Sequence, residues 1–246
     1  MALRNIKLTI SYDGVDYYGW QSQPGKRTIQ EELEKAISNL VGFHVKVKAA
    51  SRTDAGVSAL GQVVNFAIDS PIPTERLTRA VTRRLPRDIE VLEAVEVDDS
   101  FEPSASAKSK LYRYTIFAGR KRNVLQSRNC WHRPGRLDIE AMKRAAEFLI
   151  GTKDFKSFAA AADKRESSIR TVMQCRVVQE GKWIYIDIEA DRFLYNMVRN
   201  IVGTLVEVGR GRWPAGKMSE IIEAKDRTAA GPIAPPEGLC LMWVKY

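Results

Sequence analysis

The feature that most constrains this chain is the order in which its hydrophobic rhythm switches between period 2 and period 3.6. "NIKLTISYD" (5–13) places Ile6, Leu8, Ile10 and Tyr12 on alternate positions, the pattern of a half-buried strand. "TIQEELEKAISNLVG" (28–42) then carries Ile29, Leu33, Ile37 and Leu40 down one helical face to Gly42, and Thr28 three residues before Glu31 predicts a capping box at its start. "FHVKVKA" (43–49) and "QVVNFAI" (62–68) read as strands, "TERLTRAVTRRL" (74–85) as a helix between Pro73 and Pro86, and "IEVLEAVEV" (89–97) as a strand. The order is β-α-β-β-α-β, that of a ferredoxin-like unit.

The second half repeats the plan without repeating the sequence. "LYRYTIFA" (111–118) is a strand and "DIEAMKRAAEFLIG" (138–151) a helix; "TVMQCRVV" (171–178) and "WIYIDIEA" (183–190) are strands. "FLYNMVRNIVGTLVEVG" (193–209) with "MSEIIEAKD" (218–226) forms a helical layer, and "CLMWVKY" (240–246) a closing strand. The polar, Pro-containing "DDSFEPSASAKSK" (98–110) reads as the seam. The expected architecture is α+β: two ferredoxin-like units side by side, residues 1–104 and 105–246, with a mostly antiparallel mixed sheet, helices on one face and a central cleft.

Composition narrows the chemistry. The three cysteines, Cys130, Cys175 and Cys240, are far apart and odd in number, which argues against a disulfide framework or a CxxC metal site. The two histidines, His44 and His132, stand alone, leaving little material for metal or triad chemistry. No apolar run is long enough to span a membrane, and the N-terminal stretch alternates where a secretory signal would be continuously apolar, so the cytoplasm is the expected compartment. The net charge is +9, and the basic residues cluster: Arg76, Arg79, Arg83 and Arg87 at helical spacing, Arg120, Lys121 and Arg122 in "GRKRN", and a further group in "HRPGR" (132–136). One such cluster is most simply a solvated surface; several together point to nucleic acid.

The loop "AASRTDAGVSALGQV" (49–63) holds Asp54 between basic and small residues. An aspartate in a β-β connection is ordinarily a turn residue; here its small neighbours leave the backbone open to close approach by another surface. A second loop, "GRWPAGKM" (211–218), nearly spells a phosphate-binding P-loop, but Met218 cannot ligate a magnesium ion as Ser or Thr does, and Pro214 removes an amide donor.

"SRTDAGVSA" (51–59) resembles the signature of the tRNA pseudouridine synthases of the TruA type. "YDGVDYYGWQSQ" (12–23), "TIQEELEKAI" (28–37), "KLYRYTI" (110–116), "DFKSF" (154–158), "RTV" (170–172), "FLYNMVRNIVGTLVEVG" and "GLCLMWVKY" (238–246) are similar to the family's other blocks, in the same order and across essentially the whole chain. The resemblance implies a cofactor-free, metal-free isomerase acting on uridine in the tRNA anticodon stem-loop, working as a homodimer. It implies Asp54 as nucleophile or base, Arg199 as its ion-pair partner, and Tyr112 as the residue stacked on the base and a proton acceptor. It further implies Arg52 in extruding the target nucleotide and Leu239 and Leu241 as an apolar floor. Where the family usually has glycine and histidine this chain has Ser51 and Ser58, and where arginines are frequent it has Ser104 and Lys110. On periodicity alone Arg199 falls between the apolar stripe of Leu194, Met197, Val198, Ile201 and Leu205 and a polar arc of Asn196, Asn200 and Glu207. Trp20 and Gln21, in "GWQ", are read as bracing the Asp54 loop or touching RNA, with packing the favoured role for the tryptophan. A rival reading is a non-catalytic RNA-binding protein of two RRM-like modules; "LYRYTIF" offers sheet aromatics, but the RNP1 pattern is missing.

Overall fold

The structure, a computed structural model, describes residues 3–246. The chain forms two compact units, one running to Lys108 and taking in Leu241–Tyr246, the other Ser109–Cys240. Both mix helices with mostly antiparallel sheet.

In the first unit the order is β1 (Arg4–Tyr12), α1 (Ile29–Val41), β2 (Lys48–Ala49), β3 (Ser58–Ile68), α2 (Thr74–Thr82) and β4 (Ile89–Val97). Strand β1 is central, antiparallel to β3 (Leu8↔Val64) and to β4 (Leu8↔Ala94). Ile6, Leu8 and Ile10 are fully buried with Ile29, Leu33 and Ile37 of α1 and Leu77 and Val81 of α2, as the two periods require. The C-terminal strand β10 (Leu239–Lys245) runs beside β3. Its last part is tied into this unit by Lys108 N donating to Lys245 O (2.8 Å) and by the Tyr246 ring 4.9 Å from Phe101.

Two local expectations fail here for the same physical reason, the presence of a better hydrogen-bond partner. The strand expected over 43–49 shrinks to Lys48–Ala49 because α1 side chains satisfy its backbone: Val45 N donates to Ser38 Oγ (2.9 Å) and Val47 N to Glu34 Oε1 (2.9 Å), while Gln30 Nε2 donates to Val47 O (3.2 Å). The capping box is also missing, Thr28 Oγ1 being buried without a partner. Its work is done by carbonyls of the preceding loop, with Ile29 N donating to Gly19 O (3.2 Å) and Gln30 N to Trp20 O (3.0 Å).

The second unit contains β5 (Ser109–Phe117), β6 (Trp131–His132), α3 (Ile139–Glu147), β7 (Gly151–Asp154), β8 (Ile169–Glu180), β9 (Trp183–Ala190), α4 (Met197–Gly209) and α5 (Lys217–Ala224). Its sheet order is β5-β9-β8-β7, antiparallel throughout, with β6 added parallel to β5. Helix α3 is capped by Asp138, which accepts from Ala141 N (2.9 Å). It ends four residues earlier than its apolar pattern suggests, and "GTKD" becomes β7, a strand with no apolar alternation to announce it.

Helix α4 starts at Met197, four residues later than expected, after Asn196 in the left-handed region (φ 61°). Its expected polar arc does not face water: Asn200 is 1% and Glu207 5% exposed. The segment 227–235 lies over it, with Gly231 N donating to Thr204 Oγ1 (2.9 Å), Ala234 N to Arg199 O (3.1 Å) and Arg227 Nη2 to Asn200 Oδ1 (2.9 Å). Glu207 accepts from Arg210 Nη1 (2.9 Å) and Arg212 Nη1 (2.8 Å). Burial lowers the proton affinity of the neighbouring Arg133 guanidinium and Arg210 lowers it further, while Glu207 opposes both. Glu207→Ala is therefore expected to destabilise the protein by about 1–3 kcal/mol, read as a lower urea midpoint at unchanged m-value.

Candidate active site

Asp54 sits in the connection between β2 and β3, and the backbone on either side of it is held by hydrogen bonds. Ala50 N donates to Val63 O (2.8 Å), and Gln62 grips Ser51 twice, accepting from Ser51 N (3.2 Å) and donating to Ser51 O (2.6 Å). Buried Thr53 has its Oγ1 2.8 Å from the Tyr12 hydroxyl. Val57 N donates to Asp54 O (3.2 Å), closing a turn that Gly56 completes at φ 80°. Asp54 itself is half-buried.

A second loop, 13–20, is laid against this one. Trp20 N donates to Thr53 O (2.9 Å), Gly56 N to Tyr17 O (3.1 Å) and Gly14 N to Ser58 Oγ (3.0 Å). Two glycines make the approach possible. A β-carbon on Gly14 would collide with the Val57 carbonyl, and one on Gly19, at φ +87°, would stand 2.7 Å from Thr53 O and 3.0 Å from Ala55 N. The loop is anchored in turn: the Tyr17 hydroxyl donates to Asp88 (2.5 Å), and Arg27 lies 4.1 Å over the Tyr17 ring while pairing with Asp88 (3.0 Å). Burial, reinforced by the Asp88 carboxylate, holds the Tyr17 phenol protonated. Trp20, 3% exposed, is the packing residue expected, and it braces the Asp54 loop through its backbone.

The second unit carries Tyr112 and Arg199. Tyr112 projects from the buried face of β5 opposite Ile188, with its ring edge-on to Phe193 at 5.0 Å. The other face of β5 is stapled to β9 by Arg113, which forks onto Asp187 through two bonds of 2.7 Å. Tyr114, on the same face as Tyr112, donates to Pro235 O (2.7 Å), and burial with Glu237 nearby keeps its phenol protonated. Arg199 leaves the first turn of α4 half-buried; its Nε donates to Ala234 O (2.8 Å) and its Nη1 to Asn196 Oδ1 (3.2 Å), so the guanidinium plane is fixed within its own unit.

The remaining sequence candidates divide by exposure. Arg52, Arg76, Arg79, Arg83, Arg120, Lys121 and Arg122 are exposed, the two from α2 on the face opposite its buried Leu77 and Val81. Leu239 and Leu241 are buried in β10. Burial pushes the Cys175 thiol up to about 12. Among the described residues no group of three or more His, Cys, Asp or Glu side chains could hold a metal ion, and no helix is long and apolar enough to cross a membrane. Sequence reasoning missed Gln62 and Tyr12, the clamps of the Asp54 loop, whose only signal was a glutamine and a tyrosine at inward-facing strand positions.

The chain matches the family model described as tRNA pseudouridine synthase over residues 8–104 and 145–246. A protein of Thermoanaerobacter sp. (strain X514) named tRNA pseudouridine synthase A is 47% identical over 99% of this chain and its own full length. Proteins of the same name from Acetivibrio thermocellus and Moorella thermoacetica are 45% and 47% identical, over 99% and 98% of this chain and 100% and 99% of their own. With matches of this extent covering both the Asp54 loop and the Tyr112 and Arg199 elements, the chain belongs to the tRNA pseudouridine synthase family.

Proposed function

We propose that this protein isomerises uridine to pseudouridine in the anticodon stem-loop of tRNA. The observation that carries the reading is family membership along the full chain, coincident with an aspartate whose loop is fixed by two layers of backbone hydrogen bonds. The reaction breaks the bond from C1′ to N1 and forms one from C1′ to C5. The proton lost at C5 balances the proton gained at N1, so no oxidant, hydrolytic water or cofactor enters. Asp54 acts as nucleophile or base, a role that demands an ionised carboxylate held in one geometry. Arg199 is its ion-pair partner and keeps it charged once a base excludes water; a guanidinium with a fixed plane suits a bidentate grip. Tyr112 stacks on the base and accepts the C5 proton, Arg52 assists extrusion of the nucleotide from its helix, and Leu239 and Leu241 form the apolar floor. The exposed arginines and lysine of α2 and of the turn after β5 contact tRNA phosphates.

The protein works as a homodimer in the cytoplasm. tRNA is larger than one subunit's site, so basic surface on a second chain holds its body while the first handles the base.

The test is incubation of the pure protein with unmodified tRNA, without metal or nucleotide, followed by mapping of pseudouridine. Pseudouridine confined to the anticodon arm is the expected result; none formed at any position overturns the reading. Light scattering showing a stable, active monomer would remove the dimer.

A further inference from the structure

Of the aromatic residues in the loop 13–20, Tyr17 and Trp20 are core, at 2% and 3% exposed, whereas Tyr18 between them is 53% exposed. A single exposed aromatic residue needs no explanation by itself, because much of any protein surface is apolar. What marks Tyr18 is the stiffness of the backbone that presents it. Its N donates to Arg27 O (2.9 Å) and its O accepts from Gln23 Nε2 (3.2 Å), so the segment 18–27 closes on itself. On both sides the chain is fastened to the Asp54 loop. Tyr17 O accepts from Gly56 N (3.1 Å), and Gly19 lies so near that a β-carbon on it would stand 3.0 Å from the Asp54 carbonyl carbon. Tyr18 is one peptide from Gly19, about 3.8 Å between α-carbons, and is therefore held in register with Asp54.

A cation accompanies the ring. Lys26 Nζ lies 4.3 Å from the Tyr18 ring centroid, within cation–π range, and among the described residues no carboxylate pairs with it. The adjacent Arg27 differs, since it pairs with Asp88 (3.0 Å) and approaches Glu32 (3.9 Å). An exposed π surface with an exposed ammonium beside it matches the two parts of a nucleotide, base and phosphate. The chemistry creates the need for such a surface. A uridine drawn out of a stacked strand to reach Asp54 leaves the base beside it with one face uncovered, and an aromatic ring of fixed position replaces the lost stack. Tyrosine does this at small entropic cost, having two side-chain torsions to order. Stacking does not read base identity, so the ring holds the strand without choosing its sequence.

We propose that Tyr18 is a stacking platform for the nucleotide next to the target uridine, with Lys26 on that nucleotide's phosphate. The inference rests on the reading of the protein as an RNA-modifying enzyme and makes the two side chains substrate-positioning residues for it.

The test compares wild type with Tyr18→Ala, Tyr18→Phe and Lys26→Gln, all at exposed side chains whose loss leaves the core intact. The substrate is an anticodon stem-loop RNA carrying 2-aminopurine beside each of its uridines in turn, a base whose fluorescence falls when it stacks. Kd, KM and kcat are measured, with probe fluorescence read at saturating protein. Tyr18→Ala is expected to raise Kd and KM about tenfold, the size of one lost base–aromatic stack, with kcat within about threefold, and to leave one probe brighter than in the wild-type complex. Tyr18→Phe restores both, because a phenyl ring stacks as a phenol does. Lys26→Gln reduces the slope of log affinity against log salt by about 0.7, the share of one phosphate contact on a single strand. Unchanged Kd and probe fluorescence in Tyr18→Ala overturn the platform. A loss that Tyr18→Phe fails to restore would assign the effect to the hydroxyl and overturn stacking, and a fall in kcat at unchanged KM would make Tyr18 a packing support of the Asp54 loop instead. An unchanged salt slope in Lys26→Gln overturns the phosphate contact. Failure of the wild type to form pseudouridine would strike the functional reading, and the probe contrast between wild type and Tyr18→Ala would still decide the platform.

Discussion

Asp54→Asn is expected to remove pseudouridine formation, by at least about a thousandfold in kcat, while tRNA affinity stays within several-fold of wild type. The asparagine amide matches the carboxylate in shape, so the contrast isolates charge. The loop gives the comparison its force: it is held by Gln62 on Ser51, Tyr12 on Thr53, Trp20 N on Thr53 O and Gly56 N on Tyr17 O, none of which uses the Asp54 carboxylate. A thermal melt of the variant, read beside the assay, shows whether the loop keeps its fold once that charge is gone. Single-turnover assays with enzyme in excess, read beside filter binding, separate the two effects. Near-normal turnover in this variant would remove Asp54 from the chemistry and with it the proposed mechanism.

Much of this could be read before any coordinates, and the failures share a physical cause. Strands such as β1 and β9, with clean alternation and no competing donors nearby, appear where period 2 places them. The segment 43–49 alternates equally well, but side chains of α1 outcompete a neighbouring strand for its amides, and that competition is visible only once the helix is in place. Glu207 and Asn200 look like a solvent-facing arc because helical periodicity describes one helix at a time; the covering segment 227–235 arrives from the far side of α5 in sequence. Asp54, Tyr112 and Arg199 were legible only through family resemblance, since each alone is an ordinary turn, core or helix residue.

The glycines of the bracing loop yield a second large effect, opposite in origin to that of Asp54. Gly14→Ala leaves every charge in place but inserts a methyl group where the Val57 carbonyl already stands. Backbone cannot step aside as a flexible side chain would, so loops 13–20 and 51–57 must separate, weakening Gly14 N to Ser58 Oγ and the bond from Gly56 N to Tyr17 O. Overpacking of this kind costs about 1–3 kcal/mol in stability. The larger consequence is for activity: a displacement of about 1 Å in a reacting group lowers rates by about a hundredfold, and Asp54 lies within the loop that moves. Gly25→Ala is the control. Gly25 has positive φ (+70°), unlike Gly14, and nothing lies within 4 Å of an added β-carbon. Its variant should lose about 1 kcal/mol to backbone strain and keep wild-type kcat. A hundredfold fall in kcat for Gly14→Ala beside an unchanged Gly25→Ala would show that the "YDG" block serves catalysis by fixing the position of a carboxylate it never touches, whereas equal activity in both would reduce that block to ordinary packing.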